Sequence, residues 1–516
     1  MAQVEACVSV TVASPAALRY LAGMHDSLFA RMQELRDLTG VIGLASWDQE
    51  TYLPRKGDSA RASQLATLQG LYHERLVDPR LGDWLEQADA QSDDERAMVR
   101  VLKKERDRAV KIPGRLVKAL AEAQSKGLTA WREARDAKDF AVFRPAVETL
   151  VKLRREQADA WGHDGERYDA LLEGYEPGMR VRRLVPVLGE LAAKLVPMVR
   201  QLEAAPKPKD VFANKSFDTG KQWGFTLGLL EAMGFDLEAG RQDRSTHPFT
   251  SGSHPHDVRL TTRLFADNPL SAIFSTIHEG GHGLYEQGFP LELARTTLAQ
   301  APSMGLHESQ SRLWENVVGR SRPFWTAFYP KLQATFPGEL RDVSLDDFLR
   351  AVNRVERSFI RVEADEVTYN LHIVLRTELE LALIRGTLEA KDLDAAWNEQ
   401  TRKLLGLEVK SPTQGVLQDI HWAWGEFGYF PTYTLGNLYA ASLWRTVRRD
   451  ITGLEGSIAQ GNLAPLKNWL REKIHAKGYR VEAEPLITSV TGHGLTDADF
   501  IAALKEKYGA LYEVSL

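Results

Sequence analysis

Asn268-Pro269-Leu270-Ser271-Ala272-Ile273-Phe274-Ser275-Thr276-Ile277-His278-Glu279-Gly280-Gly281-His282 reads as a single capped helix. Asn268 is a good N-cap and Pro269 suits the first helical position. Leu270, Ile273, Phe274 and Ile277 recur at three- and four-residue spacings and make one apolar face. Residues four apart stand one turn above each other, so His278 and His282 project together, and two imidazoles can take two corners of a tetrahedral zinc site. Glu279 is turned by about 100° from His278. It flanks the metal corner without entering it, where a base can take a proton from water activated by the ion. Gly280 and Gly281 each cost about 1 kcal/mol relative to Ala in a helix interior; close approach of backbone or substrate would justify both. The bland alternative is a pair of surface or core histidines. Against it, six of the 13 histidines (247, 254, 256, 278, 282 and 307) fall within 61 residues.

Outward from this helix, the chain keeps helical periodicity. Leu18 to Leu38, Asp93 to Ala123, Phe143 to Ala160, Val185 to Ala204, Leu345 to Arg385 and Leu393 to Leu404 all carry it, as at Leu371, Leu375, Leu379 and Leu383. Alternating β-branched and polar runs are scarce, the best being Asp257 to Arg263 and a few residues near Val409. The expectation is a mostly α protein, one helical body with two lobes and at most a small β-sheet near the zinc site. Ala204-Ala205-Pro206-Lys207-Pro208-Lys209 reads as an exposed connector between a helical half and the half that holds the chemistry.

The 516 residues can bury a large core, and 43% hydrophobic with 26% charged residues is ordinary for a soluble globular protein. A net charge of -5 with only mixed-sign charge clusters argues against nucleic-acid binding. The single cysteine, Cys7, permits no intramolecular disulfide and no cysteine-based zinc site, and is read as an inert thiol. No basic start precedes an apolar run near the N-terminus, and no stretch is long and apolar enough to span a bilayer. The expected location is cytoplasmic.

Catalytic zinc usually has three protein ligands, and two histidines with a glutamate are a standard set. Ser303 to Glu315 reads as a following helix able to bring the third. Glu308 is the choice; Glu315, two turns on, and His307 compete. Arg312, four residues after Glu308, can pair with it, an exposed surface bridge being the ordinary reading.

Beyond this helix the chain resembles the M32 metallocarboxypeptidases, the Taq carboxypeptidase type, from about residue 18 onward. The resemblance rests on HPF with DVRLTTR (His247–Phe249, Asp257–Arg263), HEGGH (278–282), HESQSR (307–312), IRVEAD (Ile360–Asp365) and GVLQDIHW (Gly415–Trp422), which runs on into WGEFGYFPTYTLGN (424–437). Trp47-Asp48-Gln49-Glu50-Thr51 also resembles the family's opening segment. The resemblance implies Glu308 as third ligand, zinc as the metal with cobalt able to substitute, a deep central groove and a homodimer. It implies release of single amino acids from peptide C-termini, with broad side-chain tolerance and poor action beside proline. The implied organisation is an N-terminal extension (1–17) and one peptidase domain (18–516), with a helical half to about 205 and a zinc-binding catalytic half from about 210.

A carboxypeptidase must hold its substrate's terminal carboxylate, and arginine does so through two parallel hydrogen bonds. Arg259 and Arg361 are the candidates, both placed at the groove by the resemblance. Asp257 is read as a support for Arg259, and an ordinary strand pair is the alternative. Asp365 and Asp419 are read as carboxylates that take the second ring N–H of His278 or His282 and fix its tautomer. His421 and Tyr429 are the expected donors to the developing oxyanion, with Gln418 able to contribute. Glu279 then takes the proton of the attacking water and delivers it to the leaving amine. Two rivals stand beside this: an endo-oligopeptidase with the same zinc site, and a non-catalytic helical binding protein. The arginines argue against the first, and Glu279 against the second.

Overall fold

The computed structural model describes residues 26–516. The 1–17 extension, Cys7 and the start of the helix expected from Leu18 lie outside these residues. The first half folds as α1 (Asp26–Thr51), α2 (Asp58–Val77), α3 (Pro79–Glu86), α4 (Asp93–Val110), α5 (Gly114–Ala137), α6 (Phe140–Trp161), α7 (Arg167–Leu172) and α8 (Val181–Ala204). After the Pro/Lys connector come α9 (Thr219–Met233), β1 (Gly240–Arg244), β2 (Thr250–His254), β3 (Asp257–Thr262), α10 (Pro269–Glu286) and α11 (Met304–Arg312). Next come α12 (Arg322–Thr335), α13 (Pro337–Leu340), α14 (Leu345–Val352), α15 (Tyr369–Arg385) and α16 (Leu393–Leu405). The chain closes with α17 (Pro431–Asp450), α18 (Leu454–Ala459), α19 (Ala464–Lys473), α20 (Ala483–Thr491) and α21 (Ala498–Tyr512). Among the described residues the protein is mostly α with one small sheet, as its periodicity predicts.

Three expectations change in detail. Asp93 to Ala123 is two helices, because Pro113 cannot continue α4. Leu345 to Arg385 is also broken. Asp365 accepts from the backbone N–H groups of Glu356, Val367 and Thr368 and starts α15 afresh. No strand forms near Val409 among the described residues. Instead the expected strand, β3, gains β1 as a parallel and β2 as an antiparallel neighbour.

α10 lies against this sheet, and buried polar groups fix their relation. The Gln242 amide donates to Thr226 Oγ1 at 3.0 Å and accepts from Thr276 Oγ1 at 2.9 Å, tying α9, β1 and α10 together. An apolar core runs through both halves, from Leu28 on α1 to Tyr512 on α21. Between the halves lies a cavity of about 820 Å³, walled on one side by Tyr72, Val101 and Tyr175 and on the other by Thr250, His278 and Tyr429. Among the described residues, no helix is long and apolar enough to cross a membrane.

Candidate metal centre and catalytic cavity

The side chain of Asn268 caps α10 by accepting from Ser271 N at 3.3 Å, and Ser303 caps α11 by accepting from Leu306 N at 2.9 Å. The two helices then pass close together. A Cβ on Gly281 would stand 2.7 Å from both the Gln310 carbonyl oxygen and Ser311 Cα. Backbone approach therefore explains this mid-helix glycine. Gly436 on α17 serves the same end from the other side, since a Cβ there would lie 2.5 Å from Glu308 Cγ. Neither its spacing nor its composition singles Gly436 out in the sequence.

This packing brings His278, His282 and Glu308 to one point, with their ligating atoms all within 4.8 Å of one another. Nε2 of His278 is 3.7 Å and Nε2 of His282 is 3.4 Å from Glu308 Oε2. Donors sharing a tetrahedral zinc would lie about 3.4 Å apart, so the three residues fit such an ion. Their charge states suit it too. Burial pushes His282 down to about 3, leaving a neutral imidazole. Burial opposes ionisation of Glu308, but Arg312 and the two histidines hold it well below the usual carboxylate range. Metal ligation requires these deprotonated forms.

Behind the first layer stands Glu315, whose Oε2 is 2.9 Å from His278 Nδ1. It competes for the third-ligand position in the sequence, yet here it faces the other ring nitrogen of His278. α11 widens into a π-turn over Leu313–Val318, and Arg320 holds the opposite carboxylate oxygen at 3.1 Å. Burial resists ionisation of Glu315, but its hydrogen bond to His278 and the charge of Arg320 bring it down to about 2. The expected Glu308–Arg312 pair forms at 2.6 Å, buried rather than exposed. His282 Nδ1 has no hydrogen-bond partner among the described residues; its ring stacks on His307 at 4.3 Å, and His307 in turn meets Glu286 at 2.8 Å.

Glu279 lines the same cavity, 6% exposed, and Thr250 Oγ1 on β2 donates to its Oε2 at 2.6 Å. Burial raises its pKa, against the opposing pull of His278 and Thr250. Tyr429 lines the cavity beside Tyr433, and burial together with Glu308 keeps its hydroxyl protonated.

The other sequence candidates lie further back. His421 Nε2 is 3.2 Å from the Tyr433 hydroxyl, and burial pushes the imidazole down to about 3, so it is neutral rather than a protonated donor. Arg361 stands 5.0 Å from the Tyr433 ring and pairs with Asp419 at 2.8 Å. Asp419 also takes Arg376, and the two guanidiniums hold its carboxyl far below the usual range despite burial. Gln418 accepts from Arg361 N at 2.9 Å and donates to Phe359 O at 3.0 Å, fixing the backbone of that turn. Asp365 and Asp419 thus serve the α15 start and the arginine pair; the carboxylate on a metal-site histidine is Glu315. Arg259 pairs with Asp257 at 2.8 Å and stacks over Trp47 at 4.4 Å, and neither Asp257 nor Arg259 lines the cavity. Glu380 carries no signal in the sequence that marks it for this region. Buried on α15, it accepts from Tyr168 Oη, Trp422 Nε1 and Gly428 N, pinning the loop that carries His421 and Tyr429.

Known proteins resemble the chain over nearly its whole length. Residues 27–508 match the family described as Carboxypeptidase Taq (M32) metallopeptidase. The chain is 45% identical over 504 residues to thermostable carboxypeptidase 1 of Thermus thermophilus, covering 95% of this chain and 99% of that one. It is 38% identical to carboxypeptidase 1 of Bacillus subtilis, covering 95% and 98%. The crystal structure of an M32 carboxypeptidase from Deinococcus radiodurans superposes with a TM-score of 0.93 at 38% identity, covering 95% of this chain and 99% of that one. With a family match over nearly its whole length and a His/Glu cluster able to hold a metal ion, the chain belongs to the M32 family and is a metallocarboxypeptidase.

Proposed function

We propose that the enzyme is a zinc carboxypeptidase that releases single amino acids from peptide C-termini with broad specificity, with His278, His282 and Glu308 as the metal ligands. The observation that carries this reading is the convergence of the three donor groups in one cavity with Glu279 beside them. A zinc ion held there, or cobalt in its place, supplies Lewis acidity, making water a nucleophile near neutral pH and polarising a carbonyl. Glu315 fixes the tautomer of His278 through Nδ1, leaving Nε2 for the ion. Glu279 receives the proton of the attacking water at its carboxylate and passes it to the leaving amine nitrogen. Thr250 orients that carboxylate through its 2.6 Å hydrogen bond. Tyr429, protonated and at the cavity wall, donates to the carbonyl oxygen as it becomes an anion. His421 acts through Tyr433 rather than on the substrate.

Neither Arg259 nor Arg361 lines the cavity and both are paired, but Arg361 is the better candidate for the terminal carboxylate because it stands directly behind Tyr433, which does line it. Arg361 and Arg376 share the single carboxylate of Asp419, so the buried cluster keeps one positive charge behind Tyr433. A substrate carboxylate would balance it. Gln418 supports that turn. We also infer a homodimer and a cytoplasmic location, the first from the family resemblance and the second from the lone cysteine; light scattering and fractionation check them.

The test compares a blocked dipeptide with its C-terminal amide, with and without chelator and added Zn²⁺ or Co²⁺. The free acid should be cleaved, chelator should abolish cleavage, and either metal should restore it. Equal cleavage of the amide would overturn the exopeptidase reading in favour of an endo-oligopeptidase. Arg361→Met should erase the preference for the acid.

A further inference from the structure

The catalytic cavity adjoins a second one of about 920 Å³, and Lys104, Arg108 and Glu173 line both. The second chamber lies among α4, the end of α6 and the 162–182 segment, with Arg385 reaching in from α15. Its lining holds eight arginines and lysines against five aspartates and glutamates, in a chain whose net charge is -5. Several of these cations are already matched. Lys104 and Arg180 pair with Glu173 at 2.6 and 2.5 Å, and Arg385 pairs with Glu166 at 2.6 Å.

Arg108 is different. It sits half-buried in the shared wall and makes no ion pair among the described residues. It reaches the Ala170 carbonyl at 3.3 Å, and its guanidinium lies 3.7 Å from the centre of the Trp161 ring. Removal of a guanidinium from water without a matching anion costs free energy, and a carboxylate is the anion whose geometry fits its planar fork. Burial lowers the pKa of Arg108 against the nearby negative charge of Glu173, a carboxylate already paired with Lys104 and Arg180. Lys111 and Arg182, both exposed, likewise form no ion pair among the described residues, so the surplus positive charge is not confined to one side chain.

We infer that this chamber is a second substrate-binding site, which takes the acidic side chain of an aspartate or glutamate lying upstream of the scissile bond, with Arg108 as the cation that reads it. The inference rests on the carboxypeptidase reading, because Lys104, Arg108 and Glu173 line both cavities and so put Arg108 beside a peptide held in the catalytic one. A free anion such as inorganic phosphate shares the chemistry, and the experiment separates the two sources.

A set of N-acylated hexapeptides with one scissile pair and a free C-terminus carries Glu, or its neutral isostere Gln, at each upstream position in turn. The wild-type enzyme should favour Glu over Gln in kcat/KM by about fivefold at one position or two adjacent ones, the weight of a partly screened ion pair. The preference should fall to unity in Arg108→Met, persist in part in Arg108→Lys, and shrink as salt rises. Each ratio is taken within one protein, so a general loss of activity does not mimic the effect. Release of the terminal residue from the all-Gln peptide tests the carboxypeptidase reading separately. Absence of a Glu preference at every position in the wild-type enzyme would overturn the inference whether or not the variants fold. So would a preference that survives in Arg108→Met. Inhibition by phosphate that Arg108→Met relieves, with no Glu preference, would assign the chamber to a free anion and also overturn it.

Discussion

Glu315→Gln is the substitution that most sharply tests how the metal centre is built. In the wild-type protein one Glu315 oxygen meets His278 Nδ1 at 2.9 Å and the other meets Arg320 at 3.1 Å. Glutamine keeps an oxygen that can accept from Nδ1–H, so the tautomer survives, but the negative charge that makes Nε2 a stronger donor is lost. Loss of such a supporting carboxylate weakens metal binding by about 10- to 100-fold, which is about 1.4 to 2.7 kcal/mol. The assay is a competition titration of metal-free protein with Zn²⁺ against a chelator of known affinity, beside a thermal melt of the same sample. Glu308→Ala, which removes a proposed ligand, should lose far more. The depressed pKa of Glu315 adds a pH signature in the metal-free protein. A carboxyl at about 2 when folded and near 4.5 when unfolded contributes stability that is fully present above 4.5 and is lost as pH falls towards 2. Glu315→Gln should flatten that part of the stability curve. A variant that melts like the wild type and binds zinc with unchanged affinity would refute the reasoning.

Glu279→Gln should keep its metal, measured by elemental analysis, while kcat falls by about 10² to 10⁴, the usual worth of a positioned base; near-wild-type turnover would remove Glu279 from the mechanism. Thr250→Val deletes a hydrogen bond that favours the ionised Glu279, so its pKa should rise and the acid limb of the kcat/KM profile should move to higher pH. Gly436→Ala drives a methyl group to within 2.5 Å of Glu308 Cγ, and should lower unfolding free energy by about 1 to 3 kcal/mol in a denaturant titration and weaken metal retention as well. Asp419→Asn leaves two buried guanidiniums facing each other and should cost about 3 to 5 kcal/mol, read as a lowered melting temperature.

The α10 helix and its histidine pair were legible in the sequence because periodicity and capping are local. The choice among Glu308, Glu315 and His307 was not. Residues seven apart share one helical face, so spacing offers Glu308 and Glu315 equally, and the crossing of α10 over α11 decides which one the histidines face. β1 and β2 were missed because Gly-Arg-Gln-Asp-Arg and Thr-Ser-Gly-Ser-His lack the apolar alternation of a strand. They form because β3 offers both of its edges to them, a tertiary cause invisible in a short window. Arg259 shows the limit from another side. Its chemistry suits carboxylate capture, but only the fold reveals that Asp257 and Trp47 already occupy it.

The buried charges sort into sets that do different work, and their balance bears on why this site would act at a chain terminus. Around the histidines, Glu308 and Glu315 are matched by Arg312 and Arg320, so that shell is close to neutral before any cation arrives. The three glutamates near His278, with Glu279 included, then outnumber those two arginines and favour a divalent ion. On the far side of Tyr433 the imbalance is reversed, with Arg361 and Arg376 sharing one aspartate. An endopeptidase threads a neutral backbone past both sets and would gain nothing from a buried positive surplus that costs stability in the free enzyme. A peptide ending in a carboxylate brings the missing charge to that second set and its scissile carbonyl to the first. The two opposite imbalances are therefore complementary to one end of a chain, and the separation between them, rather than any side-chain pocket, would fix which bond is cut. Broad side-chain tolerance would follow from the same arrangement, because the backbone and its terminal charge would carry the register.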